Sequence, residues 1–310
     1  MTEKTSVLII TRNRAKMLGN CLNSLLVQTR MPDEIIVVDN ASTDNTKKVI
    51  LSFKEKLRIR YVMENRVGIP YARNKGLQLA TGSFLLMLDD DCEADKFWVE
   101  RMEKAHQKYP NAWVILGRTF SLPKTRLYSL LAEFNRLLAL KKFAKRKLPL
   151  RSFLSPDLRE EMEVSNCDTK NFSIKTLYLK KYKLSFDEHF YRGSDTDLGK
   201  HILKKNGLMI FYPSATVGHW ERSSLKKFLE QQWYIGRANA RIGNKWKTPS
   251  FATNMPPRLK GTIDLLVFCK ALNQWQNLPI LMVLLYLDRL SRINGWFYEK
   301  MILSLEKRPK

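Results

Sequence analysis

The chain has 310 residues, enough for one large α/β domain or two smaller ones with an ample core. Apolar residues make up 44% of it, a share that excludes a disordered chain. The formal net charge of +24 exceeds what solubility requires. It indicates a polyanionic partner, either nucleic acid, an anionic membrane surface or phosphorylated substrates.

Cysteine spacing and apolar runs bear on the compartment. The four cysteines are far apart and form no C-x-x-C pair, which is consistent with a reducing compartment. The apolar run at residues 7–10 is too short for the core of a signal peptide. The run at residues 278–287 is too short to cross a bilayer. We therefore expect a cytoplasmic protein.

Apolar runs alternate with helical patterns through the first hundred residues. Strands are predicted at residues 6–10, 34–38, 58–63 and 85–88, and the helix after the first strand carries leucines at helical spacing. Strands that alternate with helices predict a parallel, right-handed α/β sheet. A dinucleotide fold of the usual kind is excluded, because no G-x-G-x-x-G follows the first strand.

The fourth predicted strand runs directly into three carboxylates, Asp89, Asp90 and Asp91. In open α/β sheets, ligands collect where the strands end at their carboxyl edge. Asp89 and Asp91 could present oxygens to Mg²⁺ or Mn²⁺, which prefer carboxylate and phosphate ligands. Taken alone, the triplet could equally be a solvated turn that ends the strand.

Polar residues also follow the other predicted strands. Arg12 comes after the first strand, Asp39 after the second and Arg73 after the third. A carboxylate can accept hydrogen bonds from a base or ribose, arginines bind phosphate, and further carboxylates hold a metal. Together these residues describe a pocket for a nucleotide diphosphate.

Residues 5–100 resemble the donor half of family 2 glycosyltransferases. The matching segments are residues 7–13, the run I-V-V-D-N-A-S-T-D at 36–44, residues 65–76, and L-D-D-D at 88–91, which corresponds to the family's D-x-D motif. The resemblance implies the GT-A fold, a Rossmann-like, mostly parallel sheet flanked by helices. It also implies a metal-dependent, inverting enzyme that uses a nucleotide-diphosphate sugar.

The same resemblance implies roles for individual residues. The positions that would line the nucleotide are Thr11, Arg12, Asn13, Asp39, Asn40, Arg73, Asp89 and Asp90. Asp39 would lie near the base. The metal, Mn²⁺ or Mg²⁺, would be bound by Asp91 and Asp89, together with His219, although a single histidine more often has a structural role.

Residues 192–199 resemble the acceptor side of the family, where an acidic pair, commonly Glu-Asp, precedes a helix. The first position here is Ser194, so only Asp195 matches the residue expected to act as the base. A carboxylate within hydrogen-bond reach can take the proton of an attacking hydroxyl group. Helix capping is the alternative for Asp195 and Asp197, and we assign the structural role to Asp197.

Two later regions leave alternatives open. Residues 119–183 carry fifteen Lys/Arg against six Asp/Glu, and a predicted amphipathic helix over 127–138 precedes a basic segment at 141–147. This helix either packs on the core or contacts an anionic bilayer. The aromatic-rich helices after residue 263 suit a membrane interface or ordinary packing. Arg237 either holds the leaving diphosphate or faces water.

We therefore expect a donor-binding half at residues 1–118, an acceptor-binding half with a basic insertion at 119–222, and a helical C-terminal extension at 223–310 that could associate with a membrane. The expected reaction transfers a sugar to a glycan or lipid-linked acceptor, in surface polysaccharide or glycolipid assembly, in the cytoplasm or on the inner face of the cell membrane. A nucleotidyltransferase is the alternative enzyme. A non-enzymatic protein that binds nucleic acid or anionic membrane is the other alternative, but strand-end carboxylates would repel nucleic-acid phosphates unless a cation intervened.

Overall fold

The computed structural model describes residues 3–123, 127–145, 160–222, 224–248 and 259–306. They form two compact units. The first contains the sheet and its helices, from the N-terminus to Phe120, a short piece around residues 143–145, and the chain from residue 160 to Trp220. The second contains a helix after residue 121 and all described helices after residue 221.

A single sheet contains nine strands within the described ranges, in the order β3-β2-β1-β4-β8-β6-β9-β5, with β7 beside β9. The strands are β1 Thr5–Thr11, β2 Glu34–Asp39, β3 Ile59–Met63, β4 Phe84–Leu88, β5 Cys92–Ala94, β6 Ala112–Leu122, β7 Met162–Glu163, β8 Asn171–Lys175 and β9 Leu208–Trp220. The predicted first four strands are confirmed and pair in parallel. The β8 strand pairs antiparallel with both β4 and β6, so the α/β sheet is mixed.

Helices cover the sheet and build the second unit. They are α1 Ala15–Leu26, α2 Thr46–Phe53, α3 Ile69–Leu79, α4 Trp98–Lys108, α5 Leu127–Phe143, α6 Thr176–Lys181, α7 Ser194–Lys204, α8 Leu225–Trp246, α9 Leu259–Ala271 and α10 Leu278–Glu306. The predicted leucine stripe of α1 is buried against apolar residues of β1 and β2 in one core cluster. All five residues of β4 are buried, as expected of a central strand covered on both faces.

Strand order decides which loops meet. Because β2, β1 and β4 are parallel neighbours, the residues that follow them emerge at one edge of the sheet. Thr11 and Asp39 are paired at the ends of β1 and β2. The carboxylates Asp89, Asp90 and Asp91 follow β4 on the other side of β1.

The predicted amphipathic helix is α5, and its apolar face is buried within the second unit. Phe134 packs against Phe268 of α9 with ring centroids 5.3 Å apart, and Tyr128 stacks on Phe228 of α8. Of the two alternatives for this face, packing is the one observed. The residues at 146 and 147 of the basic segment lie outside the described residues.

A helix that crosses a bilayer must be long and almost continuously apolar. None of the helices in the described ranges combines the length and apolarity needed to cross a bilayer. This holds for α10 as well, although it is 29 residues long.

Candidate active site

The loop after β1 begins the site. The chain turns at Asn13, whose φ of +52° lies in the left-handed region that asparagine tolerates. The Asn13 amide donates to the Ser42 hydroxyl at 2.9 Å, and its side-chain oxygen accepts from the Thr43 amide at 2.7 Å. These bonds join the loops that follow β1 and β2. Arg12, in the same turn, is exposed to solvent.

Asp39 ends β2 and is almost fully buried, with 1% of its surface exposed. One carboxylate oxygen accepts from the Ser42 amide at 2.9 Å, and the other accepts from the Tyr61 hydroxyl at 3.3 Å. Burial, together with the Asp39 charge, raises the pKa of Tyr61. The Asp39 carboxylate is therefore held in one orientation at the strand end.

Asn40, the next residue, ties the second loop to the third. Its side-chain amide donates to the carbonyl of Arg66 at 2.7 Å, and its side-chain oxygen accepts from the amide of Gly68 at 2.8 Å. Both functional groups of this buried side chain are thus used within the protein. Asn40 shapes the loop in which Arg66 and Gly68 lie.

Two of the three consecutive carboxylates share one arginine. The Arg14 guanidinium donates to Asp90 at 2.9 Å and to Asp91 at 2.7 Å, and the Thr11 hydroxyl donates to Asp90 at 2.7 Å. Burial raises the pKa of Asp90 to about 7, although the charge of Arg14 opposes the shift. For Arg14, burial alone would lower the pKa, but the charges of Asp90 and Asp91 outweigh it and raise the pKa. The sequence analysis did not assign Arg14 to the site.

Asp91 also faces the predicted histidine. The Asp91 carboxylate lies 3.4 Å from Nε2 of His219, and both side chains are nearly buried. Strand pairing explains the contact, because Cys92 on β5 is opposite His219 on β9. Asp89, the other predicted metal ligand, contacts Arg73 instead.

The chemistry of this pair bears on metal binding. Over the described residues, no group of three or more His, Cys, Asp and Glu side chains is arranged to hold an ion. A nucleotide-bound Mg²⁺ or Mn²⁺ usually takes only one or two protein carboxylates and completes its shell with phosphates and water. Asp91 and His219 fit such a shared site as oxygen and nitrogen ligands.

Arg73 connects the end of β4 to the start of α7. Its guanidinium is buried and lies 3.4 Å from Asp89 and 3.5 Å from the Ser194 hydroxyl. It also lies 5.2 Å from the ring centroid of Phe186. Its Nε is buried without a hydrogen-bond partner in the described structure. The Arg73 side chain therefore connects Asp89, on the predicted donor side, with Ser194, on the predicted acceptor side.

The helix α7 carries the candidate base in its first turn. It begins after Gly193, whose φ of +83° favours glycine. The Asp195 carboxylate accepts from the neighbouring Thr196 amide at 2.8 Å, and no side chain caps the helix at Gly193. Asp197 is fully buried and lies 3.5 Å from His201 one turn later.

Four charged groups surround one another at this end of the sheet. Burial raises the pKa of Asp195, and the charge of Asp168 adds to the shift, while Arg73 and Lys170 oppose it. Lys170 forms an ion pair with Asp168 at 2.6 Å. Lys170 directly precedes β8, whose Asn171 is paired with Leu88 of β4, and it is near enough to Asp89 for that charge to help raise the pKa of Lys170. Lys170 was not among the residues predicted for the site.

Arg237 belongs to the second unit. Its guanidinium pairs with the buried carboxylate of Glu299 and lies 4.9 Å from the ring centroid of Trp233 and 5.1 Å from that of Tyr298. Of the two alternatives for Arg237, contact with water alone does not describe it, since its guanidinium pairs with Glu299 within the helical unit.

A mixed α/β sheet with polar groups gathered at the ends of its parallel strands is the arrangement expected of the GT-A fold. The sequence model described as glycosyl transferase family 2 matches residues 6–168. That is more than half of the chain. The chain belongs to glycosyl transferase family 2.

Two relatives illustrate the range of sequence similarity. Validoxylamine A glucosyltransferase of Streptomyces hygroscopicus subsp. limoneus is 36% identical over 137 residues, which cover 42% of this chain and 30% of that protein. The chain spans about a third or less of the length of the first curated relatives it matches. A dolichyl N-acetyl-alpha-D-glucosaminyl phosphate 3-beta-D-2,3-diacetamido-2,3-dideoxy-beta-D-glucuronosyltransferase of Methanococcus voltae is 24% identical over 239 residues, covering 75% of this chain and 72% of that protein.

Solved structures confirm the GT-A fold. The mannosyltransferase PcManGT from Pyrobaculum calidifontis, in complex with GDP-Man and Mn²⁺, superimposes with a TM-score of 0.62 at 16% identity, covering 97% of this chain and 88% of that one. S. aureus TarS in complex with UDP gives a TM-score of 0.56 at 17% identity, covering 99% and 93%. At such identities the similarity concerns the fold.

Proposed function

We propose that this protein transfers a sugar from a nucleotide-diphosphate sugar to a hydroxyl group of a glycan or lipid-linked acceptor. The observation that carries the proposal is the bridge formed by Arg73, which contacts Asp89 after β4 and Ser194 beside the candidate base, Asp195. Family membership supports the reaction class. Two structural neighbours were solved with GDP-Man or UDP-GlcNAc, which supports a nucleotide-sugar donor.

The loops after β1 and β2 are the proposed nucleotide site. The buried, oriented carboxylate of Asp39 suits recognition of the base by hydrogen bonds. The exposed guanidinium of Arg12 suits the diphosphate. Asn13 holds these two loops together through Ser42 and Thr43, so its role in the site is to position them.

Asp91 and His219 are the proposed protein ligands of Mn²⁺ or Mg²⁺, and Arg14 orients the Asp91 carboxylate. When bound, such an ion neutralises charge on the departing diphosphate. Asp89 is turned towards Arg73 and lies near Lys170. From there it can contact the ribose or the sugar rather than share the cation with Asp91.

Asp195 is the proposed base. As the acceptor oxygen attacks the anomeric carbon, its proton moves to the Asp195 carboxylate. The bond from the anomeric carbon to the phosphate oxygen breaks, and its electron pair leaves with the nucleoside diphosphate. A single displacement inverts the anomeric centre. The raised pKa of Asp195, caused first by burial, makes it a stronger base than an exposed aspartate.

The proposed setting is surface polysaccharide or glycolipid assembly, in the cytoplasm or at the inner face of the cell membrane. The formal charge of +24 supports an anionic surface nearby. It also supports phosphorylated substrates, since both partners carry negative charge.

A panel of nucleotide sugars tests the proposal. Each donor is incubated with the full chain in Mn²⁺, in Mg²⁺ and in chelator, and release of nucleoside diphosphate is measured. We expect one donor to be cleaved with metal only, and Asp91→Asn to abolish the release. Glu55→Gln, an exposed carboxylate outside the site, should behave as the unaltered chain. Release that is indifferent to chelator and to Asp91→Asn would overturn the metal assignment, and no release from any donor would overturn the reaction class.

A further inference from the structure

Two carboxylates of the helix α10, Asp288 and Glu299, are buried on its inner side. Glu299 is completely buried and pairs with both Arg237 and Arg241 of α8. Asp288 is also completely buried and pairs with Arg292 at 3.1 Å. Burying an ion carries a desolvation cost that its partners must offset. The buried side of α10 therefore holds two paired carboxylates beside four buried leucines, Leu281, Leu284, Leu285 and Leu303.

The opposite face of α10 is largely apolar and exposed, and its exposed polar residues are Asn294 and Ser304. Every exposed residue from Pro279 to Leu305 is uncharged. We define the outward face by six of them, which recur at helical spacing on the side away from Glu299: Val283, Tyr286, Leu290, Phe297, Met301 and Leu305. Phe297 exposes 56% of its surface and Val283 exposes 59%. At 1.5 Å per residue this strip is about 33 Å long.

An exposed apolar strip of this length indicates a binding surface rather than ordinary surface variation. A water-facing helix normally exposes its charges and buries its apolar residues. The α10 helix departs from this pattern, because two carboxylates are buried beside its inner leucines while aromatic and aliphatic side chains are exposed on the other side. Such an arrangement is stable where the outward face is itself covered by an apolar medium.

We propose that the outward face of α10 lies in the surface layer of an anionic lipid bilayer. This inference deepens the peripheral membrane association included in the proposed function and names the surface responsible. Charge complementarity selects the bilayer over a second copy of this chain, because two molecules of formal charge +24 repel each other while anionic lipid attracts each one.

The helix lies along the bilayer rather than across it. No helix of the described ranges can span a bilayer, and the buried carboxylates Asp288 and Glu299 would be in hydrocarbon if α10 did so. Tyr286 and Tyr298 are exposed on this helix and have the amphipathic rings found at lipid–water boundaries.

Vesicle flotation with the full chain tests this inference without any donor or acceptor, so its result is separate from that of the transfer assay. The vesicles are phosphatidylcholine alone or phosphatidylcholine with phosphatidylglycerol. The variant is the pair Leu290→Glu and Phe297→Glu, both on the exposed outward face. The control is the pair Leu51→Glu and Leu177→Glu. Both positions are exposed apolar residues of the first unit. These two substitutions change the net charge by the same amount as the outward-face pair.

We expect the unaltered chain and the control to partition onto anionic vesicles, with weaker partition at high salt and on phosphatidylcholine alone. The outward-face variant should lose at least tenfold in partition while its far-UV circular dichroism and melting temperature stay the same. Equal partition of variant and control would overturn the inference, as would no partition of the unaltered chain. A stable dimer in light scattering that the outward-face variant dissociates would also overturn it, in favour of self-association.

Discussion

Lys170 is one of two cations that tune the proposed base. Burial and the charge of Asp168 raise the pKa of Asp195, while the charges of Arg73 and Lys170 lower it. Lys170→Met should therefore raise the pKa of Asp195 and move the acid limb of the kcat/KM profile up by about one pH unit. Lys170→Arg keeps the charge and should leave the limb in place. An unmoved limb in Lys170→Met would contradict this electrostatic role.

Arg14 has a different task, because it neutralises two buried carboxylates. In Arg14→Met, Asp90 and Asp91 would remain buried without their cation. We expect a loss of about 3 kcal/mol in the free energy of unfolding. This value is at the lower end for a broken buried ion pair, because a third of the Arg14 side chain is exposed to solvent. Urea denaturation measures the loss.

The neighbouring Arg12 is the matched control for Arg14. It is exposed at the same turn, so Arg12→Met should change the free energy of unfolding by less than about 0.5 kcal/mol. It should instead weaken donor binding, as expected of a phosphate contact. If Arg12→Met and Arg14→Met destabilise the chain equally, the structural role given to Arg14 is wrong.

Sequence reasoning identified the carboxylates and Arg73, but not the cations Arg14 and Lys170. Arg14 and Asp90 are 76 positions apart, and their contact depends on β1 lying beside β4. Lys170 comes near Asp89 because β8, which follows it, joins β4 in an antiparallel register. A signal existed for Arg14, since three adjacent carboxylates at the end of a buried strand require a nearby positive charge. No such local signal existed for Lys170.

Among the elements, α4 is joined to β8 by a buried histidine. His106 bonds to the Ser173 hydroxyl at 2.8 Å and stacks on Phe84 of β4. Burial lowers the pKa of His106 to about 3, and the charge of Lys175 adds to the shift. Between pH 6.5 and 3 the unfolded chain therefore binds a proton here that the folded chain does not, so the free energy of unfolding falls as pH falls.

This pH dependence can be measured against a variant that does not titrate. His106→Phe retains an aromatic ring beside Phe84, and the unaltered chain should lose up to about 1.4 kcal/mol per pH unit more than this variant below pH 6.5. Urea denaturation at pH 7, 6, 5 and 4.5 gives both slopes. Parallel slopes would show that His106 is not held neutral in the folded chain.

The second unit depends on a close approach of α8 and α10. A Cβ at Gly236 would lie 2.0 Å from the carbonyl oxygen of Arg292, and one at Gly295 would lie 2.1 Å from that of Trp233. Gly236→Ala should force the helices apart and lower the free energy of unfolding by about 1–3 kcal/mol. Gly19→Ala is the control, since a Cβ there meets Val49 at an ordinary 3.8 Å. Equal stabilities would contradict the close crossing.

The first four strands and α1 could be predicted because each carries a local pattern of continuous apolar residues or helical spacing. The antiparallel strands β8 and β9 lacked such a signal, since the strands they pair with lie tens of positions away or more along the chain. The amphipathic pattern predicted that α5 is a helix. It did not predict what covers the apolar face of that helix, because such a face can pack on protein or contact lipid. Contacts such as Phe134 with Phe268 decide in favour of packing.

At the scale of the whole molecule, the net charge and the exposed apolar residues of α10 are both consistent with the proposed anionic lipid partner. The formal charge of +24 indicated an anionic partner without naming it. The structure buries the apolar face of α5 and exposes that of α10. Family membership accounts for the site at the strand ends, and the outward face of α10 accounts for the proposed attachment to lipid.

The most direct test of the central claim is product analysis with the active donor and acceptor. The account predicts one nucleoside diphosphate for each new glycosidic bond, with inverted anomeric configuration assigned by NMR. Asp195→Asn should lower kcat by about 10²-fold or more, while donor binding is unchanged. Release of pyrophosphate would identify a nucleotidyltransferase. Retained configuration, or full activity of Asp195→Asn, would contradict direct displacement assisted by Asp195.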